Sequence, residues 1–197
     1  MKTVGKEDNK VESKAILFSL TIGRRALEFQ VEQEIEGLEG YFEHTVYVIP
    51  RNQREILVEF EQRLYNEYKN SSICPVWGSD WDSYELEWNE EMTGKSFIHV
   101  FMLSNQRNEF LKKLNTVYKK EYEQIKKEII ETYDDNVARF KEGYEEAFPE
   151  HPLNFEEIIP SKQEYEESFQ LLDFELDYDF SSNEYFLEKL KEYNAVK

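Results

Sequence analysis

Two rhythms organise the apolar side chains of this sequence. Period two holds where Leu27, Phe29 and Val31 alternate with Glu28, Gln30 and Glu32, and where Tyr84, Leu86 and Trp88 alternate with Glu85 and Glu87. It is cleanest where Leu172, Phe174, Leu176, Tyr178 and Phe180 alternate with Asp173, Glu175, Asp177 and Asp179. Such alternation puts one set of side chains on each face of a strand. Lys14–Ile22, Tyr41–Ile49 and Ser96–Leu103 are denser runs of β-formers and read as further strands. Gly23-Arg24-Arg25, the glycines of Glu36–Gly40, Pro50 and Asn89–Lys95 supply the reversals between them.

The second rhythm is helical. Ile56, Leu57, Phe60, Leu64, Tyr65 and Tyr68 recur at helix spacing, with Asn52 and Glu55 placed as an N-terminal capping pair. From Phe110 to Phe148 the apolar marks advance 38 residues in ten steps. A helix turns once in about 3.6 residues, so each step overshoots by about 20° and the stripe wanders round a straight helix. A break at Asp134-Asp135-Asn136 would reset it, and Pro149 and Pro152 end the second piece. Ser181 and Glu184 form a capping box for a last helix, with Phe186, Leu187, Leu190 and Tyr193 facing inward.

A shift of 53 residues superposes Asn52-Gln53-Arg54 on Asn105-Gln106-Arg107, each at a strand-to-helix junction. This points to an internal ββα duplication. The predicted fold is α+β: an antiparallel sheet of five or six strands with helices mainly on one face. A flexible N-terminus covers residues 1–13 and a single domain covers 14–197. Within it lie a first ββ(β)α unit over 14–70, a second over 83–148, and an acidic strand–helix extension over 161–197. The helical region 105–148 also offers a surface for a homodimer.

Charge narrows the function classes. The chain has 24 Lys and Arg against 42 Asp and Glu, a formal net charge of −18. Residues 131–197 hold 19 of the acids and only six of the cations. A field of this sign repels nucleic-acid backbones and anionic membranes, so direct binding to either is not expected. One cysteine, Cys74, allows no internal disulfide, and the polar start carries no signal-like apolar run. A soluble cytoplasmic protein is the resulting expectation.

No cofactor motif and no metal-ligand spacing is present, and no catalytic residue is assigned. The histidines are His44, His99 and His151, and none forms a metal pattern. His99 with His44 is the one acid–base pairing the sequence suggests, as the core of a small enzyme. The acidic features point elsewhere. Trp77 and Trp81 flank Asp80 and precede Asp82 in a turn, where large stiff rings suit an interface anchor. Asp173, Glu175, Asp177 and Asp179 form a carboxylate ladder, too flat to converge on a cation. Gly23–Arg25 and the two Asn-Gln-Arg turns are small basic islands that could hold an anion.

Together these residues lead to a non-enzymatic binding protein. It would use Trp77, Asp80, Trp81, Asp82, Asp173, Glu175, Asp177 and Asp179 to dock on, and block, a basic partner protein. The profile resembles in type that of small acidic immunity proteins and antitoxins. A DNA-mimic inhibitor, its acids over 131–197 spaced like phosphates, is the alternative.

Overall fold

The computed structural model describes residues 14–25, 27–34, 41–75, 93–96, 100–179 and 182–196. The structure is α+β, and its main sheet is antiparallel. β1 (Lys14–Arg24) is an inner strand and β7 (Gln170–Asp179) is its partner on one side, from Lys14 opposite Asp179 to Gly23 opposite Gln170. On the other side, two short strands lie end to end. β5 (Thr93–Ser96) pairs with Thr21–Arg24, and β6 (Val100–Leu103) pairs with Ala15–Phe18. Three residues separate these two strands where two separate their partners, so the register advances by one between them. β4 (Cys74–Pro75) adds to β6, which makes the sheet four strands across.

Against the prediction of one sheet, the strands divide between two. Among the described strands, β2 (Glu28–Glu34) and β3 (Tyr41–Tyr47) pair only with each other, Val31 opposite His44. The division starts at Leu27, whose φ of 47° lies in the left-handed region that a leucine rarely adopts. That residue turns the chain out of the main sheet, and its carbonyl accepts a hydrogen bond from Val48 N–H. Residues 83–92, the expected start of the second ββα unit, lie outside the described residues, as does the N-terminal segment 1–13.

One face of the main sheet carries the larger core. Phe18, Leu20 and Ile22 of β1 and Val100 and Met102 of β6 bury against α1 (Arg51–Asn70) through Leu57, Phe60, Leu64 and Tyr68. The rings of Phe18, Tyr68 and Phe110 meet pairwise at 5.5–5.8 Å between centroids. Burying one such ring contributes about 1.5–3 kcal/mol. Tyr68 Oη donates to Phe18 O at 2.8 Å, so the ring that fills the core also satisfies its hydroxyl. The cap of α1 is Pro50, with Asn52 inside the first turn and Arg51 paired to Glu55. A proline has no N–H to lose there, and its φ is already set for helix entry.

The long helical region is built in pieces. α2 (Ser104–Lys113) passes into a π turn (Leu114–Tyr118), then α3 (Lys119–Glu131), then α4 (Tyr133–Ala147). A π turn inserts one residue per turn, which absorbs the overshoot of the four-residue steps. Phe110, Leu114, Tyr122, Ile125 and Ile129 therefore all stay buried. The break falls at Thr132, two residues before the predicted Asp134-Asp135-Asn136. Two short helices follow, α5 (Phe155–Ile158) and α6 (Lys162–Glu167). Ser161 Oγ accepts from Glu164 N–H while the Glu164 carboxylate accepts from Ser161 N–H, a reciprocal cap for α6.

α7 (Glu184–Val196) covers the opposite face, where Phe186 and Leu190 pack on Cys74 and Phe101, beside Leu17. Its N-terminal cap is Asn183, whose Oδ1 accepts from Phe186 N–H; the expected Ser181 lies outside the described residues. Tyr193 accepts from Gln106 Nε2 at 2.7 Å and so ties the end of α7 to the start of α2.

Candidate functional site

β7 was expected to turn its acids to solvent and its apolar residues inward. The register reverses this for the described side chains. Asp173 lies opposite Leu20 and Glu175 opposite Phe18, on the face covered by α2 and α3. There Lys119 reaches Asp173 at 2.7 Å, and Arg107 pairs with Glu175. Leu172 and Phe174 lie opposite Thr21 and Ser19 on the α7 side, and are 56 % and 57 % exposed. The cause is the position of β7 at the edge of the sheet that the described strands form. The apolar core reaches β7 at Leu171, and at the rim α2 and α3 present cations that suit carboxylates. Asp177 and Asp179 pair in register with Ile16 and Lys14. Trp77, Asp80, Trp81 and Asp82 lie outside the described residues.

Charge is segregated along the broken helix. Residues 104–127 hold seven cations against three acids, and residues 128–158 hold ten acids against two cations. Lysine pairs recur every seven residues at 112–113, 119–120 and 126–127. One member of each pair reaches a neighbouring element: Lys113 to Glu67 on α1, Lys119 to Asp173 on β7, Lys126 to Glu166 on α6. The basic half thus acts as a clamp on three elements. A hollow of about 510 Å³ lies among Lys119, Lys120, Glu123, Gln124 and Lys127, but all five stand on one helix face, so it is an open furrow.

The acidic half is different. Asp135, Glu142, Glu145, Glu146, Glu150, Glu156 and Glu157 are exposed, and among the described residues none has a cationic partner within ion-pair distance. They surround an aromatic pile in which Phe140, Tyr144, Phe148 and Phe155 touch at 5.1–6.0 Å and the hairpin adds Phe29. The rings hold α4, α5 and the β2–β3 hairpin together, so the acids stand on a packed base. A charge count taken in windows along the sequence marks the switch near residue 128.

His44 borders the same pile, its ring 6.0 Å from that of Phe148. Its Nε2 is buried with no hydrogen-bond partner among the described residues. His99 lies outside those residues, and with it the expected His44–His99 pair. The basic islands carry structural bonds. Arg24 pairs with Glu61, Gly23 O accepts from Tyr122 Oη, and Arg25 N–H donates to Ser168 Oγ. Gln53 donates to Thr132, and Arg54 stacks on Tyr47 at 3.4 Å. Gln106 Oε1 accepts from Leu103 N–H at 3.0 Å. Burial pushes the Cys74 thiol up to about 12, which removes it as a nucleophile near neutral pH.

Among the described residues, no group of three or more His, Cys, Asp or Glu side chains is placed to hold a metal ion. No helix among them is long and apolar enough to cross a membrane. In comparison with known proteins, no family model, no curated protein and no solved structure matches this chain.

Proposed function

We propose that this protein binds a basic partner protein and blocks it, using the acidic end formed by α4, α5 and the segment between them. The observation that carries the reading is the set of seven exposed acids from Asp135 to Glu157 that lack a cationic partner among the described residues. Like charges gathered this way repel one another, and a cationic surface relieves that repulsion. Charge complementarity of this kind raises the rate of encounter and rejects neutral or acidic competitors. Asp173 and Glu175 contribute less to such docking than the sequence suggested, since Lys119 and Arg107 already answer them. Trp77, Asp80, Trp81, Asp82, Asp177 and Asp179 stay in the proposal as further contacts.

The test is capture of the partner by the immobilised chain, followed by reversal of Glu142, Glu145, Glu146 and Glu150 to Lys. Capture of one basic protein, weakened by salt and abolished by the reversal, supports the reading. Capture that survives the reversal overturns it. A DNA mimic would instead compete with DNA for several unrelated basic proteins. An enzyme centred on His44 would lose its activity on His44→Ala, a change that leaves acidic docking intact.

A further inference from the structure

We propose that β2 and β3 form a lid over the aromatic pile of α4 and α5, pivoting at Leu27, and that its opening bares Phe140 and Phe148 for the basic partner. This deepens the docking reading and rests on it. Charge complementarity supplies encounter and selectivity more than affinity. Contact energy comes chiefly from aromatic side chains at a desolvated centre. The acidic end has such rings, and the two strands lie on them. Phe29 of β2 sits 5.9 Å from Phe140, and His44 of β3 sits 6.0 Å from Phe148, measured between ring centroids.

Two costs belong to the closed position. The first is at the pivot. Leu27 holds a φ of 47°, where a leucine Cβ crowds the backbone. Such conformations persist only where the surroundings impose them, and they gather at switch regions. The surroundings here are the main core. Leu27, Val48 and Ile49 are buried in it and anchor the base of the pair, where Val48 N–H donates to Leu27 O at 3.0 Å. The second cost is farther along the strands. His44 Nε2 is buried with no hydrogen-bond partner among the described residues. An atom stranded this way has given up its hydration without replacement. A swing of the strands off α4 relaxes Leu27 and returns Nε2 to water. Against it stand the two ring contacts and the burial of Val31, which lies opposite His44 and so shares its face. The balance favours a closed lid that opens locally, with the main sheet intact. The pile survives opening, because Phe155 meets Phe140 and Tyr144, and Tyr144 meets Phe148. What is bared is an aromatic surface among the exposed Glu142, Glu145, Glu146 and Glu150.

Two measurements on the full chain test this. Val31 and Cys74 are both buried at rest. Val31→Cys should therefore react with iodoacetamide about ten-fold faster than Cys74 of the same folded chain, read by peptide mass, because the lid opens without global unfolding. Phe29→Cys with Phe140→Cys, bridged by a short bis-methanethiosulfonate reagent, should hold the lid shut. Affinity for the captured basic protein should fall about ten-fold on bridging and recover when dithiothreitol breaks the bridge. Labelling at Val31→Cys no faster than at Cys74 overturns the lid, and so does capture indifferent to the bridge. A parent chain that captures no basic protein overturns the docking reading instead, and the labelling then judges the lid by itself.

Discussion

Arg24, near the end of β1, forms an ion pair with Glu61 in the middle of α1, and the Glu61 side chain is only 2 % exposed. The pair locks the sheet to the helix that covers it. Two charges taken out of water are stable only together, since their mutual attraction must offset desolvation of both. Glu61→Ala leaves the guanidinium without that partner inside the fold. It is expected to lower stability by about 3–5 kcal/mol, read as a fall in the urea midpoint. Replacing both, as Arg24→Met with Glu61→Leu, should recover most of the loss. A single variant as stable as the parent would show that the pair does not hold the two elements together.

The break at Thr132 depends on a second polar relay. Gln53 Nε2 donates to Thr132 Oγ1 at 2.8 Å, and Asn136 Nδ2 donates to Gln53 Oε1 at 2.9 Å. Asn136 is 3 % exposed and also accepts from Arg139. Asn136→Ala should cost about 1–3 kcal/mol, because it removes a buried amide and leaves the half-buried Gln53 carbonyl without its donor. The double variant with Gln53→Ala should cost less than the sum of the two singles, as measured in a double-mutant cycle. Strict additivity would mean that the two amides do not act as one relay.

Stability should also fall at alkaline pH. Burial pushes the Tyr133 phenol up to about 12, where its hydroxyl donates to Pro160 O at 2.7 Å, and pushes the Cys74 thiol up to about 12 as well. Tyr122 and Tyr165 are raised in the same direction, again chiefly by burial. Each group is an acid whose neutral form the fold prefers, so the folded chain holds its protons to higher pH than the unfolded chain. The stabilisation is complete below the ordinary values of 9.0 for the thiol and 10.0 for the phenols. It is lost as pH rises from there toward about 12. The urea midpoint should be flat up to about pH 9 and decline above it, and phenolate absorbance should rise in two steps, exposed tyrosines first. A single early step comprising all tyrosines would contradict the burial of these rings.

The local elements were largely legible, and their partners were not. Of the helix stripe Ile56, Leu57, Phe60, Leu64, Tyr65 and Tyr68, the residues Leu57, Phe60, Leu64 and Tyr68 are buried and Tyr65 is half-buried, while Ile56 faces solvent. Leu27 and Val31 read as one inward strand face, and they are buried. The wandering stripe from Phe110 to Phe148 predicted a discontinuity, and the chain answers with a π turn and a break at Thr132. The π turn is not legible in the sequence, because a drifting stripe does not say where along its length the drift is corrected. At β7 the alternation set the two faces correctly and assigned the inward one wrongly. Which face turns inward there depends on Lys119 and Arg107, 54 and 68 residues away in sequence.

By itself, then, the order of residues determined most of the described strands, the helix stripes and the sign of the overall charge, because periodicity and composition are local or additive properties; β5 (Thr93–Ser96) falls where it read as a reversal. Which acids are answered and which stand open was decided only in three dimensions. A carboxylate is quenched by whichever cation the fold brings within a few ångströms. For Asp173 that cation is Lys119, and for Glu142, Glu145 and Glu146 the described fold supplies none.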